Sequence, residues 1–307
     1  MACTYIKGVQ ELGVGTSLKH FAGNNQEKRR QTSNSEIDER ALREIYLSAF
    51  ENVIKEAKPL TVMTSFNRLN DEYACADKAL LTGILRDEWG FEGTVISDWG
   101  AVVDIVKSVK AGLDLEMPDS GNRHTKKMLE AIENGEISEA ELDRAVKSVL
   151  HLVMTLSKNK ELRGIRQNST ELYKEHHKLA LELAEESAVL LKNDGILPLN
   201  TGKDIVVIGE LAEKTRYQGD GSSHVTTDSV CSILEGLREK KFNVSYGQGY
   251  HIQKDKEDKK LVREAIDLAK TGETIVFVAG IPESMEGEGM IEKTWSCPKI
   301  RLTFLAY

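Results

Sequence analysis

The stretch GTVISDWGAV, residues 93–102, decides how the first half of the chain is interpreted. An apolar run of strand length ends there in Asp98 and Trp99, followed by a glycine of the kind that begins a turn. Three other short apolar runs also end in polar residues. They are GTSLKHFA at residues 15–22, LTVMTSFN at residues 60–67 and GLDLEMP at residues 112–118. The four runs predict four strands whose ends carry reactive side chains.

Amphipathic helical patterns separate and follow these runs. They cover residues 36–57, 77–89, 101–111, 124–134 and 138–156. In the first pattern, apolar residues that include Ile45 recur at steps of three and four, and Ser35 or a neighbour is the expected N-cap. The alternation predicts an α/β fold with a parallel sheet. Polar strand ends are typical of the active face of a (β/α)8 barrel, and four units make half of one, finished by about residue 157.

A second α/β pattern occupies residues 188–307, after a polar linker and a connecting helix at residues 158–187. Strands are expected at residues 204–209, 243–247 and 274–280, and helices at residues 230–240 and 257–270. The sequence therefore predicts a second domain, whose sheet is also mostly parallel.

Composition excludes several classes of partner. Lys and Arg number 41 against 49 Asp and Glu, a net charge of −8, so binding to nucleic acid or to an anionic membrane is not expected. The four cysteines lack metal-ligand spacing, no apolar run approaches the roughly 18 residues of a membrane helix, and no signal peptide is evident. We therefore expect no metal or cofactor and a reducing, cytoplasmic compartment.

Two groups of residues are open to alternative interpretations. Asp98 is either the N-cap of the helix that follows or a carboxylate nucleophile held at a strand end, with Trp99 as an apolar wall. Lys19 and His20 form either a solvated turn or a pair that binds sugar hydroxyls and keeps a nearby aspartate ionised.

The motifs LKHFAGNNQEKRR (residues 18–30), VMTSFNRLN (62–70), GTVISDWGAV and AGLDLEMP (111–118) resemble glycoside hydrolase family 3 of the β-glucosidase type. The resemblance implies the C-terminal half of a TIM-like barrel over residues 1–157 and a partial α/β sandwich over residues 188–307. It also implies that Asp98 is the nucleophile. The residues that it assigns to sugar binding are Lys19, His20, Arg30, Phe66 and Trp99.

Two stretches of the second domain extend the resemblance. VVIGELAEKTRYQGDGSSHV (residues 206–225) resembles the first strand and the loop after it, so Ser222 is expected to reach the sugar. GIPESMEGEGM (residues 280–290) resembles the loop with the acid/base glutamate, which implies Glu288, with Glu286 as the less favoured neighbour. Without the resemblance, this acidic stretch would be interpreted as a solvated loop.

The implied activity is retaining hydrolysis of a terminal β-D-glucosyl or β-xylosyl residue from a β-glucoside or oligosaccharide. Asp98 would attack the anomeric carbon, with Lys19 and Arg30 helping it to stay charged. Glu288 would protonate the leaving oxygen and then activate water, with the two carboxyl groups about 5–5.5 Å apart. The family's β-N-acetylglucosaminidases use a histidine that AGNNQE at residues 22–27 lacks, so that subfamily is set aside.

Four departures favour an alternative, an inactive truncated fragment or a sugar-binding pseudoenzyme. The barrel begins halfway, Phe66 stands where the family has tyrosine, Ile291-Glu292 replace an Asp-Arg pair, and SCPKIRLTFLAY (residues 296–307) ends a domain that should continue. A half-barrel leaves strand edges and an apolar interior uncovered, so the chain is expected to aggregate or to form a homo-oligomer. A nucleotide-binding protein is disfavoured because no GxGxxG or Walker pattern opens a helix.

Overall fold

The computed structural model describes residues 1–158, 169–227, 229–254 and 256–289. The chain divides into two compact units, Met1–Ser187 and Ala188–Tyr307. Each unit contains parallel strands and helices, so the predicted α/β class is confirmed.

A parallel sheet forms the centre of the first unit. Its strands are β1 (Ser17–Phe21), β3 (Thr61–Thr64) and β6 (Thr94–Ile96), in the order β1-β3-β6. The fourth predicted strand is reduced to a single parallel bridge between Ile96 and Leu115. A small sheet that the sequence did not predict joins β2 (Asn34–Ser35), β4 (Arg68–Leu69) and β5 (Glu72–Tyr73). The ends of the four apolar runs therefore lie side by side.

Besides a 3-10 turn at Ala74–Ala76, seven helices are described in the first unit. They are α1 (Ala2–Glu11), α2 (Glu39–Ala41, Leu42–Leu47 and Ser48–Ala57), α3 (Ala79–Glu88), α4 (Ile105–Ala111), α5 (Arg123–Glu133), α6 (Glu139–Ser157) and α7 (Ser169–Ser187). Sequence analysis missed α1. Helix α6 begins at a capping box formed by Ser138 and Glu141, which satisfies two backbone donors at its start.

Helix α2 departs from the sequence prediction in two ways. Its N-cap is Asp38, whose side chain accepts the N–H of Ala41, whereas Ser35 lies in β2 and donates to a backbone carbonyl. Its middle segment is π-helical, which adds a residue to the turn and places Leu42 and Leu47 on the same buried face. Ile45, predicted to face inward from a regular helical period, is instead 68% exposed.

One large apolar cluster holds the first unit together. Its fully buried members include Phe21, Val62, Leu80, Leu81, Leu85, Val95 and Leu113. Phe21 makes edge-on contacts with Phe50 and Trp89, with ring centroids 5.1 Å and 5.9 Å apart. This packing fixes the end of β1 against α2 and α3, where the polar residues that follow the strand emerge.

The second unit has a three-stranded parallel sheet in the order β8-β7-β9. The strands are β7 (Asp204–Ile208), β8 (Asn243–Gly247) and β9 (Thr274–Phe277), and the helices are α8 (Glu210–Glu213), α9 (Ile233–Glu239) and α10 (Lys259–Ala269). Ile205 and Val207 pack on one face of β7, and Val206 and Ile208 pack on the other. The central strand is thus covered on both sides, as a parallel sheet requires. The loops after β7 and β9 both leave from its carboxyl edge.

Candidate active site

Asp98 lies two residues beyond the end of β6 and is only 8% exposed. Its Oδ1 accepts the backbone N–H of Trp99 at 2.7 Å. The next helix, α4, begins at Ile105, and its N-cap is Asp104, whose side chain accepts the N–H of Lys107. The interpretation of Asp98 as the cap of this helix is therefore wrong, because a different aspartate does that work.

The second carboxylate oxygen of Asp98 faces His20 at the end of β1. Oδ2 lies 3.3 Å from Nε2 of His20. The two groups are close enough for an ion pair but are not aligned for a hydrogen bond, and no donor among the described residues hydrogen-bonds to this buried oxygen. A buried acceptor without a donor is costly and calls for a partner such as a water, an ion or a ligand. This oxygen is thus available to a ligand.

The loop that carries Asp98 is fixed to the neighbouring chain segment through Met117. The carbonyl of Met117 accepts the N–H of Gly100 at 2.9 Å and the hydroxyl of Ser97 at 3.2 Å, and its own N–H donates to that hydroxyl at 2.8 Å. The residue before it, Glu116, contacts buried His124 with an Oε1–Nδ1 distance of 2.5 Å. The carboxylate of Asp98 therefore lies on a short, restrained turn.

The other candidate sugar-binding residues of the first unit have different surroundings. Arg30 stacks on the ring of Phe66, with 4.7 Å from its guanidinium carbon to the centroid, and forms an ion pair with Glu27 at 3.2 Å. Lys19 is exposed and has no ion pair with any residue that the structure describes. The indole of Trp99 is also exposed, beside the carboxylate that holds its backbone. The structure thus brings together His20 with Asp98, and Arg30 with Phe66.

Two buried residues at the end of β3 were predicted as polar strand-end residues, but sequence analysis gave them no role. Ser65 donates its hydroxyl to the carbonyl of Ala22 at 2.9 Å, and the amide of Asn67 donates to the carbonyls of Ala22 and Gly23 at 3.2 and 3.3 Å. These hydrogen bonds join the segment after β1 to the segment after β3. The buried hydrogen bonds of Ser65 and Asn67 could have been found only from the pairing of β1 with β3.

A cleft of about 350 Å³ opens next to the segment after β1, lined by His20, Gly23, Asn24, Asn25, Tyr46 and Phe50 among others.

In the second unit, the two candidate glutamates have different partners. Glu288 accepts the hydroxyl of Ser222, which lies in the loop after β7. Glu286 accepts the guanidinium of Arg216. Gly221 has a φ of +91°, and a Cβ placed on it would lie 3.2–3.4 Å from the side chain of Glu288. The loop after β7 therefore packs directly against Glu288.

Some expectations concern groups or residues beyond these contacts. Within the described ranges, no three His, Cys, Asp or Glu side chains are grouped as a metal site would require. No helix in that part of the chain has the length and apolar character to cross a membrane. The Ile291-Glu292 pair and the stretch at residues 296–307, noted as departures, lie outside the described residues.

Comparison with known protein families gives two matches. The model described as "Glycosyl hydrolase family 3 N terminal domain" matches residues 1–152, and the model described as "Glycosyl hydrolase family 3 C-terminal domain" matches residues 188–305. The two matches lie in the first and the second unit respectively.

Curated relatives are similar over nearly the whole chain. Thermostable beta-glucosidase B of Acetivibrio thermocellus is 44% identical over an alignment of 303 positions, which covers 97% of this chain and 40% of the relative. An exo-alpha-(1->6)-L-arabinopyranosidase of Bifidobacterium longum is 41% identical over an alignment of 310 positions, which covers 98% of this chain and 40% of the relative. The chain thus spans about 40% of the length of these relatives.

Solved structures show the same fold. A family GH3 beta-glucosidase of Bifidobacterium adolescentis superimposes with a TM-score of 0.88 at 40% identity, covering 99% of this chain and 44% of that one. Beta-glucosidase 3B of Thermotoga neapolitana, solved in complex with glucose, superimposes with a TM-score of 0.79 at 33% identity, covering 94% of this chain and 43% of that one.

Proposed function

Because the chain belongs to glycosyl hydrolase family 3, we propose that it takes part in retaining hydrolysis of a terminal β-D-glucosyl or β-xylosyl residue. Asp98 forms the covalent glycosyl-enzyme, and Glu288 is the acid/base. The observation that carries the proposal is the state of Asp98: a buried carboxylate at a strand end, with one oxygen held by a backbone N–H and the other without a hydrogen-bond donor among the described residues.

This arrangement suits a nucleophile. The N–H of Trp99 orients the carboxylate through Oδ1, which leaves the lone pairs of Oδ2 for attack on the anomeric carbon. His20, 3.3 Å from Oδ2, supports the charge when protonated or donates to a sugar hydroxyl when neutral. Restraint of the loop by Met117 keeps the carboxylate in one position, which a near-attack geometry requires.

Glu288 suits the role of acid and base better than Glu286 does. An oxygen of Glu286 is occupied by the guanidinium of Arg216, whose charge favours the ionised carboxylate. Glu288 accepts the neutral hydroxyl of Ser222. The hydroxyl of Ser222 carries no charge that would favour the ionised form, which suits a group that must carry a proton to the leaving oxygen and then take one from water.

Sugar hydroxyls are bound by Lys19, His20 and Arg30 in the first unit and by Ser222 in the second, with Phe66 and Trp99 as apolar surfaces. Phe66 has no hydroxyl, so it contributes its ring face, which already stacks on Arg30. Relatives of this chain are named beta-glucosidase and exo-alpha-(1->6)-L-arabinopyranosidase, and these names support a terminal pyranosyl residue as the substrate. We propose this chemistry without a metal or organic cofactor, together with homo-oligomerisation of the chain.

The test is covalent labelling of the purified chain with 2,4-dinitrophenyl 2-deoxy-2-fluoro-β-D-glucoside, read by mass spectrometry of the intact protein and its peptides. Labelling of the peptide with Asp98, absent in Asp98→Asn, is the expected result. Asp104→Asn is the matched control, because asparagine keeps the helix cap and the variant should label like the wild type. A chain that is folded by circular dichroism but unlabelled supports the alternative of an inactive fragment or a sugar-binding pseudoenzyme.

A further inference from the structure

Arg216 lies in the loop after β7, just beyond the short helix α8, at the carboxyl edge of the second sheet. The residue before it anchors this position, because the hydroxyl of Thr215 donates to the carbonyl of Leu211 at 3.2 Å and accepts the N–H of Ile233 at 3.1 Å. The side chain of Arg216 is only 19% exposed. A guanidinium this far removed from water needs several acceptors to offset its lost hydration.

The guanidinium of Arg216 contacts two loops. Nε donates to the carbonyl of Gln218 in its own loop at 3.3 Å. Nη1 donates to the carbonyl of Ile281 at 3.3 Å, and Nη2 forms an ion pair with Glu286, both in the loop after β9. The planar, always charged guanidinium presents donors in several directions at once, which a lysine ammonium does not do with the same fixed geometry. One side chain therefore fastens the loop after β9 to the loop after β7 at two points.

The contacts of Arg216 flank the position of Glu288. Glu286 is two residues before it in the loop after β9, and Ser222, which donates to Glu288, is four residues beyond Gln218 in the loop after β7. We propose that Arg216 is a positioning residue, which holds residues 281–286 in place so that Glu288 meets Ser222. The proposal deepens the proposed function and rests on it for the role of Glu288 as acid/base.

The first test needs no activity. The N–H groups of Met285 and Glu286 donate to the carbonyls of Pro282 and Glu283 at 3.0 Å each, so hydrogen exchange of a peptide over residues 281–289 reports the order of this loop. In the full chain, Arg216→Met should speed this exchange roughly tenfold, because hydrogen bonds from a charged donor are lost. Arg238→Met, an exposed arginine on α9, is the matched control and should change nothing there.

Unchanged exchange of this peptide in Arg216→Met would overturn the proposal. If that variant does not fold, Glu286→Gln releases the same clamp from its other end and should speed exchange in the same peptide, though less, because the carbonyl of Ile281 remains bound. Unchanged exchange in this second variant, with Arg216→Met unfolded, would likewise overturn it.

A second test separates this proposal from the proposed function. With Glu288 as the acid, Arg216→Met should lower kcat/KM for cellobiose about 10-fold or more, with a much smaller loss for 2,4-dinitrophenyl β-D-glucoside, whose leaving group needs no proton. Arg216→Lys should restore part of the loss. Faster exchange without this dependence on the leaving group would support the clamp and contradict the acid role of Glu288. Slower hydrolysis of both substrates with unchanged exchange would contradict the clamp alone.

Discussion

Asp114 is expected to be among the most sensitive positions of the first unit. Its carboxylate lies between the half-buried guanidinium groups of Arg86 and Arg144, and among the described residues it is the only acidic side chain that forms an ion pair with either of them. Its side chain is 0% exposed. Oδ2 accepts Nη2 of Arg86 at 2.6 Å, the N–H of Val95 at 2.8 Å and the hydroxyl of Ser148 at 3.0 Å, and Oδ1 accepts Nη1 of Arg144 at 2.9 Å. The four donors come from α3, β6 and α6, so this one residue links three elements.

Replacement of Asp114 by asparagine keeps the shape and removes the charge. One carboxylate oxygen becomes an NH2 group, which cannot accept the donor that faces it, and both arginines lose their counter-ion. Burial already lowers the pKa of Arg144, and the charge of Asp114 opposes that shift, which shows how far the guanidinium lies from water. Breaking a buried ion pair of this kind costs about 3–5 kcal/mol, and we expect Asp114→Asn to lower the free energy of unfolding by that amount.

The assay is urea denaturation at pH 7, followed by tryptophan fluorescence, to which the buried Trp89 of the first unit contributes. Asp143→Asn is the matched control, because Asp143 forms an exposed ion pair with Lys147 at 3.4 Å and should cost no more than about 1 kcal/mol. A loss for Asp114→Asn that is no larger than the loss for this control would refute the assignment of Asp114 as a structural centre.

Two further predictions concern the residues around the candidate carboxylates. Gly221→Ala should cost about 1–2 kcal/mol of stability, because the φ of Gly221 is +91°, and its new Cβ should displace Glu288. Gly219→Ala is the control, because its Cβ would have an ordinary neighbour at 3.6 Å, and it should behave like the wild type in thermal melts. Asp98→Asn should leave stability unchanged or raise it, since one oxygen of the carboxylate is buried without a donor, whereas Asp104→Ala should cost about 0.5–2 kcal/mol as a lost helix cap. Equal losses in the two aspartate variants would contradict the distinction between them.

Much of the fold follows from periodicity in the sequence. Strand β8 begins and ends where predicted, at residues 243–247, and α3 buries the four apolar residues that its pattern placed inward, Leu80, Leu81, Ile84 and Leu85. Strands buried on both faces and helices with one apolar stripe produce strong local signals. Elements that depend on tertiary contacts were missed. The two-residue strands of the small sheet have no period, and the π-helical turn of α2 is favoured by packing of Leu47 rather than by any local motif.

In the candidate site, too, local motifs were found from the sequence and features that depend on tertiary contacts were missed. Motifs singled out Asp98, His20 and Glu288, and their roles remain predictions, but sequence alone could not tell which of two aspartates caps α4. Both Asp98 and Asp104 follow β6 in a turn, and only the three-dimensional path of the chain decides which carboxylate reaches the free N–H groups. Arg216 drew no attention because a lone arginine in a polar loop has no pattern, and its partners are 65 and 70 residues away in sequence.

The two carboxylates are supported in ways that fit different chemical tasks. Asp98 is buried on a turn that is fixed by hydrogen bonds of Met117 with Gly100 and Ser97, so it keeps one position and one orientation, as the nucleophile of our proposal must. Glu288 is exposed on a longer loop and is positioned by side chains, through the hydroxyl of Ser222 and, in our proposal, the clamp of Arg216. A residue that gives up a proton in one step and takes one in the next benefits from contacts with water, which backbone burial would deny it. The first carboxylate is therefore sensitive to changes in the core beneath its strand, and the second to changes in the neighbouring loop.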